Sequence, residues 1–257
     1  MLRPEFVAIR TALFLALALT VSVGRMAWAS GNEALEEKIA RITRKANATV
    51  VKCKYVASPV SRKGGDAPLC ETTFRDLHGD QQPVTVVNDE YALKIFQEMT
   101  VNGKIPFGFP EDGCFARAHE MSRELENDNP KVMTGKVFAT GLFRLENDKA
   151  ATGAVSWGFH VAPFFILDNG HGRHIWVIDP SLFYEPEPIE KWLTELTSGV
   201  KSELKEVFLT SRFIYHPDRR SKRLTDYNPK DVEDMKRVMK KYHKKEVERV
   251  EQKSPDL

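Results

Sequence analysis

The regular spacing of apolar positions tightens at Asn88. Ala92, Ile95, Phe96 and Met99 fall on one helical face, Asn88 is a good cap and Gly103 ends the run. After the loop "KIPFGFPEDG", Phe115, Ala118, Ser122 and Leu125 step by three, four and three, predicting a second helix from Cys114 to about Asn127. The runs "GKVFATGLFRLE", "SWGFHVAPFFIL" and "RHIWVID" predict strands. A short helix around Ile189, Trp192, Leu193 and Leu196 stops at Gly199, and the strand "EVFLTSRFIY" follows. A long amphipathic helix from about Asp231 places Val232, Met235, Met239, Tyr242 and Val250 on one stripe. Upstream, a polar helix from about Asn32 to Lys45 precedes the strand candidate "ATVVKCKYVA" and the turn-rich "RKGGDAP". Helices followed by a run of strands indicate an α+β domain.

The N-terminus stands apart. Arg3 and Arg10 precede an apolar run over residues 11–24, and Ala27-Trp28-Ala29 is a small-x-small cleavage site. This is the pattern of a secretory signal peptide cut after Ala29. The run is shorter than the ~20 residues of a spanning helix, and no cysteine follows the cut to take a lipid. The expected product is secreted or periplasmic, with no stable membrane insertion. Four segments are expected: signal 1–29, an N-terminal leader 30–80, a main domain 81–216 and a basic amphipathic helix 217–257.

Removing the signal changes the charge balance. The whole chain has 38 Lys+Arg and 36 Asp+Glu; three Arg and one Glu leave with residues 1–29, so 35 of each remain. A neutral remainder gives no global pull towards nucleic acid. Residues 217–253 are locally basic, with 13 basic and 8 acidic side chains, which suits a solvated face, an acidic partner or an anionic membrane surface.

Three cysteines, Cys53, Cys70 and Cys114, remain in an exported chain. An oxidising compartment favours pairing, and an odd count leaves one thiol over. Cys53 and Cys70 share a loop-rich region, so a Cys53–Cys70 disulfide is expected and Cys114 is the free thiol. Cys114 follows Gly113 where a helix starts, and unsatisfied N–H groups there favour an anion. Helix N-termini and nearby imidazolium groups favour thiolate over thiol, which is the nucleophilic form. Gly113, lacking a side chain, lets a substrate carbonyl approach the backbone.

A nucleophilic thiol calls for a histidine, itself oriented by a third group. His119, five residues on, points about 140° around the helix from Cys114. His160 lies inside an apolar strand and is the better candidate. With Asn169-Gly170 as a two-residue hairpin turn, His160 and Asp179 stand directly opposite. With a four-residue loop, Asp179 faces Ala162 and stays diagonal to His160. Either register lets the carboxylate hold the imidazole. No His/Cys cluster has zinc-site spacing, so neither metal nor another cofactor is expected.

Together "DGCFARAHEM", "WGFHVAP" and "WVIDPSL" resemble the bacterial protein-glutaminase family over roughly residues 85–215. The resemblance implies a papain/transglutaminase-like core, with the nucleophile helix packed on an antiparallel sheet. It implies secreted enzymes that convert protein-bound glutamine to glutamate and release ammonia. Cys114 is then the nucleophile, His160 the base and acid, and Asp179 the orienting carboxylate. Family members carry a masking pro-segment, a part that residues 30–80 would play. Trp157 is a candidate second oxyanion donor, and Phe107, Phe109 and Trp157 are candidates for the glutamine slot. Expected partners are proteins or peptides bearing accessible glutamine. The same triad also suits a protease or a transglutaminase-type acyltransferase. A non-enzyme alternative is an exported protein that binds through its basic C-terminal helix.

Overall fold

The computed structural model describes residues 34–51, 70–101, 103–128, 131–217 and 223–253. The expected signal peptide, residues 1–29, and Cys53 lie outside the described residues. The chain divides into one unit of residues 1–42 and another of residues 43–257; the features below belong to the second. Helix α1, residues 34–47, runs across that division.

The second unit is built on a seven-stranded sheet. Its strands are β1 (Cys70–Arg75), β2 (Gln81–Val87), β3 (Gly135–Glu146), β4 (Ala154–Asp168), β5 (Arg173–Val177), β6 (Glu187–Pro188) and β7 (Glu203–Ser211). The main path runs β1-β2-β4-β3-β7, with β5 pairing β4 and β6. The sheet is antiparallel throughout except for β2 and β4, which pair in parallel at Val86–Ile166 and Val87–Leu167. Helices α2 (Asp89–Val101), α3 (Cys114–Asn127), α4 (Ile189–Leu196) and α5 (Pro229–Lys253) complete the mixed α+β fold.

Packing explains why the predicted helices form. Asn88 caps α2 by accepting the Tyr91 N–H at 2.9 Å. Ile95 and Phe96 of α2, Leu125 of α3 and Met235 of α5 share one buried cluster with Phe165 of β4. Each such side chain contributes roughly 1.5–3 kcal/mol on burial. A second cluster joins Cys114 and Ala118 of α3 to Phe138 of β3, Val161 of β4 and Phe208 of β7. The N-terminal turn of α3 is thereby fixed against the sheet beside His160.

Several expectations need correction. Residues 70–75, assigned to the leader, form an edge strand paired along its length with β2, so a boundary at residue 80 cuts a hairpin. Within "ATVVKCKYVA", residues 48–51 form a turn and a bridge to Thr73, and the rest lies outside the described residues. Strand β7 ends at Ser211, so residues 212–215 leave the sheet. The α5 stripe holds at Met235, Met239 and Tyr242 but fails at Val250, which is 62% exposed.

Candidate active site

The long strand β4 sets the site. Along Phe164–Asp168 it pairs with β5, Phe164 facing Val177 and Asp168 facing Arg173. This is the four-residue-loop register, which puts Asp179 level with Ala162. Past Val177 the chain turns away from β4; its last tie is the Ile178 N–H to the Pro163 carbonyl at 2.9 Å. Asp179 therefore stands beside the His160 stretch of β4 as a diagonal neighbour.

The two side chains meet there. His160 Nε2 lies 2.7 Å from Asp179 Oδ2, and both residues are buried, at 0% and 3% exposure. The same Oδ2 accepts the Trp192 indole N–H at 2.9 Å, and Oδ1 accepts the Ser181 N–H at 3.3 Å. Two neutral donors and the imidazole thus satisfy a carboxylate whose burial alone would favour protonation. The balance falls on the charged side, and the Asp179 pKa is lowered, burial opposing and His160 and Trp192 prevailing.

His160 is shifted the other way. Burial is the largest influence and acts downwards; the charge and hydrogen bond of Asp179, then Cys114, raise its pKa to about 9. The imidazolium is accordingly the form held at neutral pH. Its second nitrogen, Nδ1, is buried and has no conventional hydrogen-bond partner. With Nε2 held by Asp179, Nδ1 is the nitrogen left for the sulfur of Cys114, a buried free cysteine. The ring is stacked on Trp157 at 4.2 Å between centroids and lies near Trp192.

Cys114 is the first residue of α3, preceded by Gly113 in the left-handed conformation at φ 81°. A side chain at Gly113 is excluded twice, by that φ and because its Cβ would lie 2.7 Å from the Tyr242 ring. The Gly113 N–H donates to Asp112 Oδ1 at 2.7 Å. The Cys114 N–H lies in the first turn, where no intrahelical acceptor exists.

Other candidates are placed differently. Trp157 donates its indole N–H to the Pro110 carbonyl at 3.1 Å, so it is not aimed at an oxyanion; its role here is the flat wall behind His160. Phe107 belongs to the core cluster formed with α2 and α5. Phe109 is covered by Tyr242, stacked at 4.8 Å, and by the cations of Lys245 and Arg249. Both phenylalanines are buried, at 9% exposure.

The structure adds groups that the sequence pattern did not suggest. Trp192 was legible only as an apolar position of α4, yet it orients Asp179. Arg117, 2% exposed, folds back along α3 and donates to the Phe109 and Asp112 carbonyls at 2.9 and 2.8 Å. Burial lowers its pKa, while Cys114 and Asp179 act in the opposite sense. Among the described residues, no group of three or more His, Cys, Asp or Glu is arranged to hold a metal ion.

Residues 92–196, which contain Cys114, His160 and Asp179, match the family described as glutaminase. The NMR structure of protein-glutaminase from Chryseobacterium proteolyticum is 25% identical, with a TM-score of 0.53; the match covers 61% of this chain and 88% of that one. A crystal structure of protein-glutaminase matches at 24% identity and TM-score 0.51, covering 61% and 87%. A crystal structure of pro-protein-glutaminase shares the fold at 21% identity and TM-score 0.53, covering 78% of this chain and 66% of that one. No curated protein gives a significant match.

Proposed function

We propose that this chain, a hydrolase of carboxamide C–N bonds in the protein-glutaminase family, is a secreted deamidase of protein-bound glutamine that works through a Cys114–His160–Asp179 triad. The observation that carries the reading is the buried His160–Asp179 pair at 2.7 Å, whose imidazole keeps Nδ1 for a free thiol at a helix start. The named relatives are protein-glutaminases, which fits a glutamine side chain within a polypeptide as the substrate.

The chemistry follows from these positions. The Cys114 thiolate adds to the carboxamide carbon, and the Cys114 N–H, at the positive end of α3, takes part of the oxyanion charge. The His160 imidazolium gives its Nδ1 proton to the amide nitrogen, which leaves as ammonia and strands a thioester. Water then attacks the thioester carbon while Nδ1 takes its proton, releasing glutamate and restoring the thiolate–imidazolium pair. Asp179 stays ionised throughout, holding the Nε2 proton and balancing the imidazolium. Burial of the pair keeps these interactions strong.

The test is mass spectrometry of a protein substrate such as casein, with ammonia measured in parallel. Expected is a gain of about one dalton per modified glutamine, lost in Cys114→Ala. Free glutamine is expected to react poorly. Fragmentation of the substrate instead identifies a protease, and incorporation of primary amines identifies an acyltransferase. A Cys114→Ser protein with undiminished biological effect identifies a binding role.

A further inference from the structure

The basic helix α5 lies outside the family-matched region 92–196, yet its last turns contact the loop that delivers Cys114. Tyr242, Glu246 and Arg249 are spaced by four and three, which puts them on one helical face. The Tyr242 hydroxyl donates to Asp112 Oδ2, and its ring fills the space that a Gly113 side chain would need. Glu246 Oε1 accepts the Gly108 N–H at 2.7 Å. Arg249 Nη1 donates to the carbonyls of Gly108 and Lys149, both at 3.0 Å, and Nη2 donates to Glu111 Oε1 at 2.8 Å. That Glu111 oxygen also accepts the Ala151 N–H at 2.8 Å, tying the β3–β4 turn into the same knot.

From the inner side, Arg117 holds the Phe109 and Asp112 carbonyls and Trp157 holds the Pro110 carbonyl. The backbone from Gly108 to Gly113 is thus tied from both sides just before the nucleophile. Two cations of α5, exposed Lys245 and half-buried Arg249, lie over the Phe109 ring at 4.9 Å.

We infer that α5 is part of the catalytic apparatus: Tyr242, Glu246 and Arg249 are positioning residues that set the Gly113–Cys114 backbone, and with it the thiol and the Cys114 N–H. The inference rests on the proposed function only in taking Cys114 as the nucleophile. The hydrogen bonds of these three side chains go to the loop and not to the thiol or the His160–Asp179 pair, so their expected effect is on the rate of the bound complex. A displacement of the nucleophile by a fraction of an ångström to an ångström costs roughly 10- to 100-fold in rate.

The experiment uses the full chain with Tyr242→Phe, Glu246→Gln and Arg249→Met, and Lys240→Ala on the exposed face of α5 as control. Steady-state ammonia release from a short blocked glutamine peptide gives kcat and KM. Iodoacetamide alkylation of Cys114 gives a substrate-independent rate, and circular dichroism with thermal melting monitors the fold. Expected for Arg249→Met is a kcat lower by about 10- to 100-fold, with KM within about threefold and slower alkylation, at temperatures where the fold is intact. Tyr242→Phe, which keeps the ring and the core anchors Met235 and Met239, is expected to show a smaller fall of the same kind. Rates matching Lys240→Ala in both assays overturn the proposal, as do losses that appear only where the melting curve shows unfolding. If the unaltered protein releases no ammonia, the functional reading fails, while the alkylation series still decides whether α5 positions Cys114.

Discussion

Replacing Asp179 by Asn changes one charge in a site that otherwise keeps its shape. The amide oxygen can still accept from Trp192 or Ser181, so the expected change is electrostatic. In the native site the His160 pKa sits at about 9 although burial, the largest single influence, pulls it below 6.5. At about 1.4 kcal/mol per pH unit, the rise from 6.5 to about 9 corresponds to roughly 3 kcal/mol, on the order of a hundredfold or more in the imidazolium-to-imidazole ratio. Without the carboxylate, burial acts against Cys114 alone, and imidazolium is no longer the dominant form at pH 7. An amide that donates towards Nε2 also selects the tautomer with its proton on Nδ1, which leaves no base for the thiol. The rate of ammonia release is expected to fall by about 10²- to 10⁴-fold, with folding by circular dichroism unchanged. Alkylation of Cys114 measured from pH 5 to 9 reports the same loss without substrate: its rate below pH 7 falls, and the profile moves to alkaline pH. A variant within about threefold of native activity, with the same alkylation profile, refutes the orienting role of Asp179.

Three further outcomes are expected. Two histidines give conformational stability opposite limbs: His119, held at about 2, loses stability as pH falls below 6.5, and His160, raised to about 9, loses it as pH rises above 6.5, where the depressed pKa of buried Lys136 acts in the opposite sense. Each limb has a slope near 1.4 kcal/mol per pH unit for one proton; urea titrations in which His119→Gln stays as steep as the native protein between pH 4.5 and 6.5 contradict the acid limb. Trp192→Phe removes a charge-assisted bond to Asp179 and is expected to destabilise by ~1.5–3 kcal/mol, and a chemical-denaturation change under about 0.5 kcal/mol counts against it. The Cys53–Cys70 bridge is expected in protein secreted by its own host, where non-reducing peptide mass spectrometry that finds both thiols free would eliminate it.

The catalytic candidates were legible because each is chemically out of place: a thiol at a glycine-led helix start, an imidazole in an apolar strand, a carboxylate ending the next strand. Helices α2 to α5 were legible because each buries a stripe at helical spacing. The hairpin register was ambiguous for a local reason. Asn169-Gly170 reads as a two-residue turn, but Asp168 accepts the Gly170 N–H and pairs with Arg173, and Asn169 accepts the His171 N–H. These side-chain bonds stabilise a four-residue loop, which the dipeptide alone does not encode. Strands β1 and β2 were missed because "CETTFR" and "QQPVTVV" carry few apolar residues, and Pro83 argues against a strand. The clamp on the Cys114 loop was invisible for another reason: Tyr242 and Asp112 are 130 residues apart, and Arg249 and Gly108 are 141 apart. No periodicity records partners at that distance.

The two buried histidines nearest the nucleophile show what decides a base. His119 and His160 are both fully enclosed, at 0% exposure. His119 faces Lys136, whose Nζ lies 2.9 Å from its Nδ1 and 2.8 Å from the Ile214 carbonyl. Burial first, then Lys136, hold His119 neutral, and burial pushes the Lys136 pKa well below its ordinary value. This pair supports packing, and its imidazole stays neutral. His160 faces a carboxylate that Trp192 and Ser181 keep ionised, and the same degree of burial then strengthens the attraction that holds its proton. Burial alone would have made both histidines inert. The difference lies in the side chain each one meets, and the hairpin that brings Asp179 alongside β4 is what makes His160 the candidate acid and base.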